Sequence, residues 1–108
     1  MDTQTLWETV ETVDRWTVRV SGELDLDTGP RLREYLAVRI AHCPGVLALD
    51  LTDVGFCDSS GLQALVATLR RARLLDRHLV LVVEKDGRLH RLLELAGVID
   101  LFDLEFTP

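Results

Sequence analysis

The spacing of apolar residues begins as that of strands and from Thr28 onward alternates between helix and strand. Trp16, Val18 and Val20 alternate with Thr17, Arg19 and Ser21, the period of two expected of a strand with one buried face. The stretch before it, Leu6 to Val13, is rich in Thr, Val and Trp, and Asp14-Arg15 supplies a short turn without glycine, so an antiparallel hairpin is predicted. From Thr28 the spacing becomes helical. With Thr28 as N-cap and Pro30 in the first turn, Leu32, Tyr35, Leu36 and Ile40 share one face up to about Cys43, where Pro44-Gly45 stops the helix.

Val46 to Leu49 is continuously apolar and closes on Asp50, the signature of a central strand, with its carboxyl end directed at Asp53 to Ser60. Leu62, Leu65, Val66 and Leu69 mark a second helix beginning near Gly61, Leu79 to Val83 a further buried strand, and Leu89, Leu92, Leu93 and Ala96 a third helix that Gly97 ends. Leu101 to Phe106 alternates Phe102, Leu104 and Phe106 with Asp103 and Glu105 as a last strand. The order strand, strand, helix, strand, helix, strand, helix, strand predicts an α/β fold. A small mixed sheet, an antiparallel N-terminal hairpin followed by parallel strands, carries helices joined by right-handed crossovers. One domain spans residues 1–108. Sites in such sheets gather beyond the carboxyl ends of the strands, here Gly22 to Gly29 and Asp53 to Gly61.

Composition narrows the function classes. The 108 residues are 47% hydrophobic and 28% charged, ordinary globular values, and 12 basic against 18 acidic side chains give a net charge of −6. An acidic chain lacks the positive face that phosphate backbones require, so no nucleic acid is expected as a direct partner. The densest basic cluster, Arg70, Arg71, Arg73 and Arg77, falls on the second predicted helix, either as a solvated face or as a surface for a protein partner. No apolar run exceeds the five residues Leu79 to Val83, and no basic segment with an apolar stretch opens the chain, so neither a membrane span nor a secretory signal is expected. Cys43 and Cys57 lack metal or disulfide-framework spacing, which points to reduced thiols and a cytoplasmic location.

The segment DVGFCDSSG is the richest in chemistry, and several enzyme motifs fail on it. Gly55 and Gly61 enclose five residues and are followed by Leu62, which excludes a P-loop. Cys57 and Gly61 flank Ser59 where a hydrolase elbow needs two glycines. Gln63 stands where a cysteine phosphatase needs arginine, leaving Cys57 as a loop or core residue. Asp25, Asp27, Asp50 and Asp53 could gather as in a phosphate receiver, but the only lysine, Lys85, is misplaced for that role. Gly29-Pro30 interrupts a calcium loop beginning at Asp25 and Asp27, and His42, His78 and His90 share no face. No metal, no cofactor and no catalytic group are therefore expected. What remains is a serine at a helix start, either a substrate itself or simply one of Asp58, Ser59 and Ser60 capping the helix.

Read together, VRVSGELDLDTGPRLREYL and LALDLTDVGFCDSSGLQAL resemble the STAS domains of bacterial anti-sigma factor antagonists, with GELD (Gly22 to Asp25) and DSSGL (Asp58 to Leu62) in the family's positions. The likeness extends through RLLELAGVIDLFDLEF and implies a STAS-like fold and a non-enzymatic regulator. It implies that Ser59 is phosphorylated by a partner that is both anti-sigma factor and serine kinase, that a phosphatase resets it, and that the unphosphorylated form binds the partner and frees the sigma factor. Asp25, Asp58, Ser60, Gly61 and Leu62 would form the partner-binding surface. In this reading Asp25 lies beside the loop and orients the serine or docks the kinase, Asp58 and Ser60 shape the helix start, and Gly61, lacking a side chain, lets the partner approach. The chain would be a monomer or weak dimer. Gln63 departs from the glycine many members carry, and a further C-terminal helix common in the family is not present in the sequence. A scaffold subunit of a signalling assembly and a small-ligand or nucleotide sensor are the alternative functions.

Charge supplies a mechanism for such a switch. Phosphate at Ser59 adds roughly −1.5 to −2 charges beside Asp58, with Asp25 as a second expected neighbour. The helix dipole favours it by roughly 0.3 to 1 kcal/mol. Repulsion from one carboxylate about 4 Å away costs about 4 kcal/mol at an effective dielectric near 20, before salt screening. Half of that repulsion still weakens docking by more than about tenfold, since roughly 1.4 kcal/mol is one decade.

Overall fold

The structure is a computed structural model that describes residues 5–107. Strands β1 (Leu6–Glu11) and β2 (Trp16–Leu24) form the hairpin, followed by α1 (Thr28–His42), β3 (Val46–Cys57), α2 (Ser59–Leu74), β4 (His78–Glu84), α3 (Arg88–Leu95), a 3-10 turn at Ile99–Leu101, and β5 (Asp103–Thr107). The strands lie in chain order, β1-β2-β3-β4-β5, with β1 antiparallel to β2 and every later pair parallel. Three crossovers that all step in one direction, each right-handed, place the three helices on one face of the sheet.

The predicted fold class and element order are those observed. Alternate strand residues, Val18 and Val20, Leu47, Leu49 and Leu51, Leu79, Leu81 and Val83, enter the core, where Leu32, Leu36 and Ile40 of α1, Leu65 and Leu69 of α2, and Leu89 and Leu93 of α3 meet them. The intervening Ala48 and Val80 are buried on the other face, which Glu105 shares by register. Arg15, at the foot of β2, reaches over β3 and β4 on that face and donates to both carboxylate oxygens of Glu105 at 2.7 and 3.2 Å. These bonds hold the Glu105 carboxyl below the usual carboxylate range.

Several boundaries differ from the pattern reading. β1 ends at Glu11, and the connection is a turn closed by Thr12, whose backbone and hydroxyl both donate to the Arg15 carbonyl. Thr28 is the first residue of α1 and not its N-cap; its hydroxyl bonds back to the Glu23 carbonyl at 2.6 Å instead of capping forward. β3 runs on from Asp50 to Cys57 because Ser21 to Leu24 of β2 continue to pair with it, through register shifts on either side of Ser21-Gly22, where Gly22 has φ +99°. Polar Asp50, Thr52 and Asp53 interrupt the apolar run and hide this extension from the pattern. The last strand begins at Asp103, since Ile99–Leu101 form the 3-10 turn, and Gly97, at φ +72°, does stop α3 as predicted.

Candidate functional site

Both segments singled out by the sequence reach the same edge. β2 and β3 extend together past β4, whose pairing with β3 stops at Asp50 and Val82, and the two strands end side by side at Leu24 and Cys57. From these ends α1 and α2 begin. The Asp58 backbone N–H donates to the Leu24 carbonyl at 3.0 Å, so the start of α2 is tied to the end of β2.

At α2, the N-cap is Asp58. Its Oδ1 accepts from the backbone N–H of Ser60 at 2.8 Å and of Gly61 at 3.3 Å, consuming two of the donors that a helix start leaves unpaired. Ser59 is the first helical residue and is exposed, while Ser60 and Leu62 are half-buried. The helix thus begins at Ser59, two residues before the predicted start at Gly61, because a carboxylate cap needs its helix immediately after it.

Gly61 corrects an expectation. A Cβ there would stand 2.5 Å from Cys57 Sγ, 2.8 Å from Leu24 Cβ and 3.0 Å from the Leu24 carbonyl oxygen. The missing side chain lets α2 close against β2 and β3 of the same chain, and Gly61 is buried by that contact rather than open to an approaching molecule.

At α1, the organising group is Asp25. Its Oδ1 accepts from the backbone N–H of Asp27 at 3.0 Å and the N–H of Thr28 at 2.9 Å, and the Thr28 hydroxyl shares its single proton between this oxygen at 3.0 Å and the Glu23 carbonyl at 2.6 Å. The Thr28 bonds, backbone and then side chain, lower its pKa despite some desolvation. These partners all belong to its own turn; among the described residues its carboxylate makes no hydrogen bond to Ser59, so Asp25 orders the neighbouring helix start rather than the serine hydroxyl. Asp27, at the N-cap position of α1, makes no side-chain capping bond.

Three residues of the segment Gly22 to Gly29 have roles that the pattern does not show. Leu24 accepts the Asp58 amide, Thr28 knits the Asp25 turn, and Gly29 lies so close to α2 that a Cβ would come within 2.9 Å of the Ser60 carbonyl oxygen. The pair of glycines, Gly29 and Gly61, each one to three residues into a helix, is the signal that could have shown two helix starts in contact. Arg33, one turn beyond Gly29, lines the same surface depression as Ser59.

The site offers little to catalysis. Burial, with the Asp58 charge in second place, pushes the Cys57 thiol up to about 11, which keeps it protonated and a poor nucleophile at neutral pH. Asp50 binds its own neighbour Thr52. Among the described residues no three His, Cys, Asp or Glu side chains gather as a metal site, and no helix is long and apolar enough to cross a membrane.

The family model described as "Mlab, STAS domain" matches residues 7–103. The anti-sigma-B factor antagonist of Listeria monocytogenes is 36% identical over 92 residues, 85% of this chain and 80% of that protein. The crystal structure of an anti-sigma factor antagonist from Mycobacterium paratuberculosis superposes with a TM-score of 0.84 at 28% identity, covering 96% of this chain and 87% of that one. The anti-sigma factor antagonist SpoIIAA in its unphosphorylated form shares the fold, with a TM-score of 0.71 over 97% of this chain and 90% of its own, at 16% identity.

Proposed function

The chain belongs to the STAS-domain family, and from that premise we propose that it is an anti-sigma factor antagonist switched by phosphorylation of Ser59. Its partner is an anti-sigma factor with serine kinase activity, bound by the unphosphorylated form so that the sigma factor is released; a phosphatase restores the binding form. The role is regulatory rather than catalytic.

One observation carries the reading: Ser59 is an exposed hydroxyl at the first position of a helix whose start already holds a carboxylate. Asp58 occupies the Ser60 and Gly61 amides, so the favourable end of the dipole is already taken when a phosphate arrives. Two anions then share one helix terminus. Their repulsion, about 4 kcal/mol for unit charges at about 4 Å in a dielectric near 20, exceeds what the dipole returns. A phosphate must therefore displace Asp58 from its amides or stand out from the surface, and either outcome spoils a face fitted to the bare serine.

The test is incubation with ATP and the anti-sigma factor kinase, followed by intact mass and peptide mapping. One phosphate on Ser59 is expected; modification elsewhere, or none, removes the switch. Calorimetric titration should find Ser59→Ala binding as tightly as the unmodified chain and Ser59→Asp at least about tenfold weaker, one decade being about 1.4 kcal/mol.

A further inference from the structure

The depression that holds Ser59 does not end there. It shares Arg33, Ala67 and Arg70 with a second depression farther along the helices, so a single furrow runs along α2 from Ser59 to Leu74, bordered by Arg33 of α1 and, near Ser59, by Val98 after α3. Leu62, Val66, Ala67 and Leu74 give it an apolar lining, and Leu74 is 79% exposed. Arg33, Arg70 and Arg71 stand along it, all exposed, and among the described residues none of the three makes an ion pair. The other two members of the basic cluster are engaged elsewhere: Arg73 donates to the Leu101 carbonyl and Arg77 to the Leu75 carbonyl.

Three uncompensated cations collected beside apolar side chains are unusual on a chain of net charge −6. Such a surface is electrostatically complementary to carboxylates, and its apolar lining asks for side chains that can be buried between them.

We propose that the α1–α2 furrow is the second half of the docking surface, and that it receives an acidic amphipathic segment of the same protein partner that meets Ser59. The proposal rests on the reading above, since continuity with Ser59 is what assigns the furrow to that partner. The segment brings apolar side chains to Leu62, Val66 and Leu74 and carboxylates to Arg70 and Arg71. Arg33, beside Ser59, lies where the two halves of the surface join. Charges of this kind at the border of an interface act chiefly on the association rate and make it sensitive to salt.

The experiment is a kinetic binding titration of the purified anti-sigma factor against the unmodified chain, Arg70→Glu, Arg19→Glu and Ser59→Asp at low and high salt. Arg70 is exposed, and its reversal leaves the core untouched. Arg19 is an exposed residue of β2 whose register puts it on the face away from the helices, so its reversal changes net charge equally at a remote place. Arg70→Glu should lower affinity about tenfold at low salt, mostly through slower association, and the deficit should shrink at high salt. Arg19→Glu should stay within about twofold, because screening removes distant charges. Equal losses in the two arginine variants, or no loss in Arg70→Glu, overturn the furrow while a weakened Ser59→Asp leaves the switch standing. A Ser59→Asp variant that binds normally, beside a weakened Arg70→Glu, does the reverse. A wild-type chain that does not bind at all overturns both.

Discussion

Two helices start side by side at the same sheet edge, and they are held in different ways. At α1 the ordering carboxylate is Asp25, set back from the helix and folded into its own turn, and the first residues, Thr28 and Gly29, are buried. At α2 the carboxylate is the cap itself, and the next residue, Ser59, faces outward. One start is closed and supports; the other is open and presents. The difference lies in where the acid stands relative to its helix: a turn's length before it at α1, which draws the chain inward, or immediately before it at α2, which leaves position one free.

The open start is the more easily broken, most severely by Gly61→Leu, which unseats α2 from the ends of β2 and β3. The new side chain has backbone and Leu24 within 3.0 Å, so overpacking should cost about 3 kcal/mol in urea unfolding, whereas Ser59→Ala should stay within about 0.5 kcal/mol of wild type. A Gly61→Leu variant as stable as wild type would mean that α2 does not close against the ends of β2 and β3.

Asp58→Ala comes next. Losing a cap that satisfies two amides should cost about 1 kcal/mol, measurable in the same unfolding assay, and no change would refute the capping geometry.

Asp25→Asn sharpens the comparison through pH. The folded carboxyl titrates below its usual range, so the stability that Asp25 confers is complete at neutral pH and fades as acid protonates the folded form. The variant should melt at a lower temperature than wild type at pH 7, and the gap should narrow towards pH 3. A gap that is constant across that range would show that the carboxylate's charge plays no part in the turn.

The sequence reveals most where a single period persists. Helical spacing from Leu32 to Ile40 and the apolar run from Leu79 to Val83 locate their elements because one buried face dictates one residue type at regular intervals. It reveals least where two elements depend on each other. The second half of β3 breaks alternation, with Gly55 and Phe56 both exposed between half-buried Val54 and Cys57, and only the continued pairing with β2 keeps it a strand. Ser59 is singled out by the family resemblance of DSSGL, since spacing alone leaves it level with Asp58 and Ser60 as a helix cap. The role of Gly61 is not legible there, because a glycine that lets its own helix close on the strand ends and one that admits a partner look identical until the atoms at 2.5 to 3.0 Å are known.

The amide of Asp58 and the carbonyl of Leu24 form a shared rivet at the root of both helices. One 3.0 Å bond thus fastens the end of β2, from which the chain turns into α1, to the residue that caps α2.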